Sequence, residues 1–429
     1  MKNALAVGIA AFLLMSGASM KAQVHFDDFF TTKTLRIDYL LGGNNIEENV
    51  FLYQMKQEPN YGGPRLHLID GDSTGTYRYA VYDSASGSLI FSKGFCTLYQ
   101  EWRGTPEAKK VRKAYPMSAT LPFPKHTILF TIDLSEYSTG KFQRIFSTYI
   151  NPDDYFILKE PVTPYKTRKI VDNGDPATKV DIVFIAEGYT RDEMKKFRQD
   201  ANRMASYMLS IQPYSEYRDR FNFYAVESPS VSSGVEIPGS GTYVNTSVNS
   251  SFYTFDMDRY LTTPDTWDMY DIAANAPYDA IVVLDNSTRY GGGGFYNHYC
   301  QSTVDNKLSE IVLVHEFGHS FGGLADEYYT SEVTYSDFYN LRVEPWEPNI
   351  TTNVDFGRKW QNMIPHGTPV PTPREPQFRE VVGMFEGGGY VGKGVYSPMM
   401  DCRMKSNEAK GYCPVCREAL VKRIRYLSE

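Results

Sequence analysis

Residues 315–319 read His-Glu-Phe-Gly-His, with two imidazoles four positions apart and a carboxylate beside the first. On an α-helix, residues at i and i+4 share one face, so His315 and His319 can offer ring nitrogens to a single metal ion. Glu316 sits about 100° further round the helix, where its carboxylate reaches water beside the metal. Zinc in such a site brings the pKa of water to about 7, and a carboxylate base can then take the proton and pass it to a leaving amine. The chemistry these residue types suit is hydrolysis of an amide bond. A chance match on a core helix is the bland alternative, and the surroundings speak against it. Leu308, Ile311, Val312 and Val314 lead into the motif as a buried helix would, and the glycines Gly322 and Gly323 end it soon after His319.

A catalytic zinc site needs a third protein ligand. In the H-E-x-x-H-x-x-G pattern of metzincins, that ligand follows three residues after the glycine, which lets the backbone turn back toward the metal. Here the position is Ala325, which cannot bind metal, and Asp326 and Glu327 follow it directly. A slip of one residue in the turn makes Asp326 the ligand, and its short side chain suits a group close behind a turn. Glu327 is the competitor, with the longer reach. The residue not used at the metal is then surface charge or a partner of a histidine ring nitrogen.

The elements that must position this helix are α/β in pattern. Residues 180–189, "VDIVFIAEGY", form a buried-strand run, and Thr190 with Glu193 fits a capping box. Met194, Phe197, Ala201, Met204, Met208 and Ile211 then recur at steps of three and four, an amphipathic helix. Residues 221–229 and 278–286 read as further strands, the second standing before the motif helix as an active-site edge strand would. The glycine run 291–294 reads as a loop, and a last helix begins near Pro414. Residues 25–160 differ: "TLRIDYLL", "TILFTIDL" and a hairpin over 77–95 alternate in the manner of a β-sandwich. The polar, proline-bearing stretch 159–179 separates the two patterns. The expected organisation is therefore a leader at 1–22, a β-sandwich at 23–160 and a catalytic domain at 161–429.

The leader reads as a secretory signal peptide, with Lys2, an apolar run of residues 4–15 and small residues up to Ala22. The protein is expected to be exported, periplasmic or extracellular, with no membrane span beyond the leader. The net charge of −7, which becomes −9 once Lys2 and Lys21 leave with the leader, argues against a nucleic-acid partner. The five cysteines are Cys96, Cys300, Cys402, Cys413 and Cys416. Cys402 with the Cys413-x-x-Cys416 pair would leave a zinc knuckle one ligand short, so a disulfide from Cys402 to that pair is expected, with Cys300 a further candidate partner. His298 reads as a hydrogen-bonded structural histidine, and His25, His67, His126 and His366 have no ligand-spaced partner.

The segment "HEFGHSFGGLADEYY" resembles the metal-binding segment of the IgA-peptidase-like family of bacterial zinc metallopeptidases, which are metzincin-like. "DIVFIAEGYT", "EPNITTN", "VGMFEGGGYVGKGVYSP", "DCRM" and "CPVC" extend the resemblance over most of residues 165–429, and "TLRIDYLLGGN" is similar to the β-sandwich that precedes the catalytic domain in exported members. The resemblance implies a two-domain chain, an all-β sandwich followed by an α/β zincin catalytic domain. It implies that His315, His319 and Asp326 bind Zn2+, that Glu316 is the catalytic base, and that the substrate is a protein or glycoprotein. It also assigns Met404 to the methionine turn beneath the metal, and suggests Tyr396 as a helper of the oxyanion. Two other readings keep the fold: a surface glycan- or protein-binding factor with a vestigial zinc site, and a metal-dependent amidase acting on a non-protein substrate.

Overall fold

Alternating β-branched and aromatic residues in the first third of the chain fold into β1 (Phe30–Gly43), β2 (Glu48–Glu58), β3 (Tyr77–Asp83), β4 (Leu89–Phe95), β5 (Lys113–Pro124), β6 (Ile128–Ser135), β7 (Phe142–Ile150) and β8 (Ile157–Leu158). The computed structural model describes residues 23–71, 74–329 and 338–429. The expected leader lies outside the described residues. Two four-stranded sheets, in the orders β5-β1-β2-β8 and β4-β3-β6-β7, enclose one apolar core. Leu35, Ile37, Phe130 and Ile132 meet there, joined by Trp102 from the short helix α2 (Leu98–Arg103), while α1 (Phe26–Phe29) precedes β1. Neighbouring strands run antiparallel except β2 and β8.

The second unit is a six-stranded sheet in the order β13-β14-β12-β10-β11-β9. Its strands are β9 (Lys166–Val171), β10 (Val180–Glu187), β11 (Phe221–Glu227), β12 (Ala280–Asp285), β13 (Gly292–Phe295) and β14 (Tyr299–Thr303). The four inner strands are parallel, and β9 and β13 are antiparallel edges. Every residue of β10 is buried, as expected of a parallel strand covered on both faces. Three helices cover one face: α3 (Met194–Met208), α5 (Ser309–Gly322) and α6 (Pro414–Ser428). The other face packs on α4 (Thr266–Ala273). Glu193 accepts the Thr190 backbone N–H at 2.8 Å, so the capping box is formed, on a short 3-10 turn that leads into α3. A hairpin of β15 (Phe385–Gly388) and β16 (Val391–Ser397) lies beside the sheet unit.

Two expectations change. The glycine run is not a loop: it forms the edge strand β13. The strand at 278–286 is not an edge either, because β12 lies between β10 and β14. The glycines hide the strand from sequence patterning because it has almost no side chains with which to show alternation.

The two units are packed together. Residues 34–39 of β1 are buried without interruption, where a solvated sandwich strand would alternate. The reason is α4, which covers the outer face. Arg36 reaches Asp38, Glu58 and, across the boundary, Asp271 at 2.9, 3.1 and 2.7 Å. Trp267 stacks on Tyr53 at 4.3 Å and donates its indole N–H to Met117 O at 3.0 Å. Among the described residues, no helix is long and apolar enough to cross a membrane.

Candidate active site

Helix α5 carries the motif against β13 and β14. The approach is close: a Cβ on Gly294 would stand 2.4 Å from Glu316 O, and one on Gly292 would stand 2.9 Å from Glu316 Cγ. Glycine at these positions is what allows the edge strand to lie on the helix beside the motif carboxylate.

His315 Nδ1 pairs with Arg403 O at 3.0 Å, and His319 Nδ1 with Leu324 O at 2.6 Å. Since a carbonyl only accepts, each Nδ1 is the protonated nitrogen and each neutral ring turns a bare lone pair outward at Nε2. These two Nε2 atoms are 3.1 Å apart. Asp326 Oδ1 lies 3.1 Å from the first and 3.4 Å from the second. Three acceptors thus converge, and Oδ1 is buried without a well-formed hydrogen bond. Such a triangle is repulsive until positive charge enters it. Ligands at 2.0–2.1 Å from a tetrahedral zinc stand about 3.3 Å apart, so the three edges fit the ion. The same demand for positive charge shows in protonation. Burial pulls the imidazoliums down, but the Asp326 carboxylate outweighs it, raising His315 and holding His319 up at about 9. Burial pushes Asp326 up, but the two rings more than offset it and hold its carboxyl well below the usual range.

The turn that returns Asp326 to the histidines starts at Gly323, whose φ of +61° places it in the left-handed region that ends helices. Gly323 N and Leu324 N donate back to His319 O and Gly318 O. Ala325 faces a small apolar cluster with Ile350 and Val395. Asn349, itself fully buried, holds both backbone polar groups of Ala325, at 2.8 and 2.9 Å. Tyr390 OH donates to Asp326 Oδ2. Neither Asn349 nor Tyr390 stood out in the sequence as a site residue; "EPNITTN" and "EGGGYVGKG" carried them only as parts of longer segments.

Glu327 points elsewhere. Its carboxylate lies among Cys402, Cys413 and Cys416, and Asn349 donates to it at 3.0 Å. Of the two competing acids, then, Asp326 joins the histidines. Met404 is fully buried beneath the motif, where a Cβ on Gly318 would stand 2.7 Å from its sulfur.

The Glu316 carboxylate and the two motif imidazoles lie within 4.8 Å of one another. Burial raises its pKa and the two histidines pull it back, leaving it above the usual carboxylate value. The cleft in front of these groups has walls from both units: Glu101, Arg103 and Tyr137 from the first, Tyr328, Tyr339 and Tyr390 from the second. Asn340 crosses over to donate to Tyr137 O at 3.0 Å, and Tyr260 OH donates to Glu101 at 2.5 Å.

Other candidates fall away from the cleft. His298 is buried and paired with Tyr270 OH at 3.0 Å, and burial, with Lys93, lowers its pKa to about 3. Tyr396 is a β16 residue packed against the main core, so Tyr390 rather than Tyr396 is the hairpin tyrosine at the site. The expected disulfide is absent: all five cysteines are free, and Cys402 Sγ stands 3.7 Å from Cys416 Sγ, against the ~2.05 Å of an S–S bond. Cys300 sits in β14, apart from that cluster.

Comparison with known families gives two matches. Residues 169–380 and 374–424 match the model of IgA Peptidase M64, and residues 25–147 match that of the Peptidase M64 N-terminus. No curated protein matches the chain.

Proposed function

Because the chain belongs to the IgA Peptidase M64 family, a family of metallopeptidases, we propose that it is an exported zinc-dependent endopeptidase of zincin architecture. In this reading His315, His319 and Asp326 hold the zinc and Glu316 is the general base. The observation that carries it is the triangle of two bare imidazole nitrogens and a carboxylate oxygen, with edges of 3.1, 3.1 and 3.4 Å.

A bound zinc supplies a Lewis acid for the scissile carbonyl and brings the pKa of water near ~7. The remaining work falls to the chain. Arg403 O and Leu324 O fix the ring orientation and tautomer of the two histidines. Tyr390 holds the free oxygen of Asp326, so that only Oδ1 faces the rings. Glu316 takes the proton of the attacking water and delivers it to the leaving amine, and its raised pKa suits both halves of that transfer. The substrate is a protein. The family's name points to immunoglobulin A, and the cleft wall from the N-terminal unit is where this chain's own preference would be set. The leader at residues 1–22 would deliver the enzyme to the periplasm or beyond.

Cleavage of casein or a glycoprotein by zinc-loaded protein tests the reading. Activity should vanish with a chelator and with Glu316→Ala. If wild type and Glu316→Ala are equally inert on a broad peptide library, the proposal fails.

A further inference from the structure

We propose a second metal site in this chain: a structural zinc ion held by Cys402, Cys413, Cys416 and Glu327. It stands apart from the peptidase reading, because it shares no ligand with the histidine site.

All four side chains are buried, Glu327 and Cys416 completely. One ligand atom from each lies within 4.8 Å of the other three. The spacings are of the size a tetrahedral metal ion requires. Two thiolates on a tetrahedral zinc, each with Zn–S of 2.3 Å, stand about 3.8 Å apart, and a thiolate and a carboxylate oxygen about 3.6 Å. Cys402 Sγ and Cys416 Sγ are 3.7 Å apart, and Cys416 Sγ is 3.2 Å from Glu327 Oε1. A disulfide between any two of the cysteines would leave the third thiol packed against a fully buried carboxylate. Glu327 Oε2 has no hydrogen-bond partner among the described residues, a costly state for a buried carboxylate that a bound cation relieves.

The start of α6 favours a thiolate at Cys413. Cys413 is the N-cap of α6, and the Cys-x-x-Cys spacing opens the helix where backbone N–H groups point at anions. Cys416 N faces Cys413 Sγ at 3.5 Å, and Cys413 N donates to Cys402 Sγ at 3.2 Å. Asn349 orients the carboxylate. Nearby, Lys405 Nζ has no hydrogen-bond partner among the described residues, and its charge interacts with Glu327 and Cys402. It offsets the excess negative charge that three thiolates and a carboxylate leave on a divalent ion.

The site has a structural purpose that the fold makes plain. Glu327 and Cys416 are 89 residues apart in sequence. The ion would tie the segment after Asp326, the segment around Arg403 and the start of α6 into one knot. Glu327 N already donates to Met404 O at 2.8 Å, and Arg403 O already holds His315. A closed set of four protein ligands has no open position for substrate, as in structural rather than catalytic zinc sites.

Metal analysis of the zinc-loaded full chain tests this. The His315→Ala/His319→Ala variant should keep about one zinc per chain, and its X-ray absorption spectrum should show sulfur neighbours at about 2.3 Å. Cys413→Ser/Cys416→Ser should lose that sulfur-bound ion and melt earlier. A zinc-free histidine variant, a spectrum without sulfur, or non-reducing mass mapping that finds Cys402 in a disulfide with Cys413 or Cys416 overturns the proposal. The measurements on the histidine variant decide the matter even if the cysteine variant does not fold.

Discussion

Asp326 and Glu327 share a peptide bond yet serve opposite kinds of cluster. Asp326 meets two partly exposed imidazoles at the bottom of a cleft, three ligand groups with room for a fourth from solvent or substrate. Glu327 turns into a sealed set with three cysteines, where no position is left. If the two proposals hold, the difference teaches that ligand count and burial, more than residue type, separate a site that works on a substrate from one that holds the chain together. On the two proposals, the open triangle is only as well placed as the closed knot behind it.

The sharpest way to break the comparison is at the open centre. Glu316→Gln should lower kcat/KM about a thousandfold with zinc content unchanged, measured on a fluorogenic peptide; a loss below tenfold would remove Glu316 as the base. At the closed centre, Cys413→Ser should act on stability instead. A loss of about 3 kcal/mol, seen as a fall in Tm of about 5 °C or more by calorimetry, is expected. An unchanged melting curve would argue that the cysteine set carries no stabilising ion. Tyr390→Phe sharpens the contrast, since it removes the hydroxyl that donates to Asp326. It should weaken zinc at the histidine site about tenfold or more in chelator competition and leave the sulfur-bound ion in place.

A third buried acid without either kind of cluster gives the smallest effect. Asp285 is fully buried beside Glu187, and neither of its oxygens has a well-formed hydrogen bond. Burial, then the charge of Glu187, raises its folded pKa well above 3.8. The folded state therefore binds the proton more tightly, and its stability falls as pH rises above the unfolded value. Asp285→Asn should make no difference below pH 3.8 and stabilise increasingly above it, by about 1 kcal/mol near neutrality. Parallel urea titrations of both proteins across pH would show a constant gap if the idea is wrong.

Local spacing made much of this legible. The i, i+4 histidines, the capping box at Thr190 and Glu193, and the buried run of β10 each lie within one element, so periodicity exposes them. Asp326 was recoverable as one of two candidates because it follows the turn at Gly323 directly. The partners of Glu327 were not, since they come from a strand-free segment and a helix start far along the chain. Asn349 sits in "EPNITTN", with nothing local to announce that it clamps Ala325 and Glu327 together. The edge strand β13 escaped because the property that fits it to α5, the absence of side chains, is also what makes a sequence look like a loop.

The seam between β1 and α4 bears on modularity. Asp271 and Trp267 lean on Arg36, Tyr53 and Met117, and the cleft borrows Glu101 and Tyr137 for one wall. The catalytic half is therefore no portable cassette. Cut free, it would expose an indole and an unmatched carboxylate, and its binding groove would be left as an open ledge.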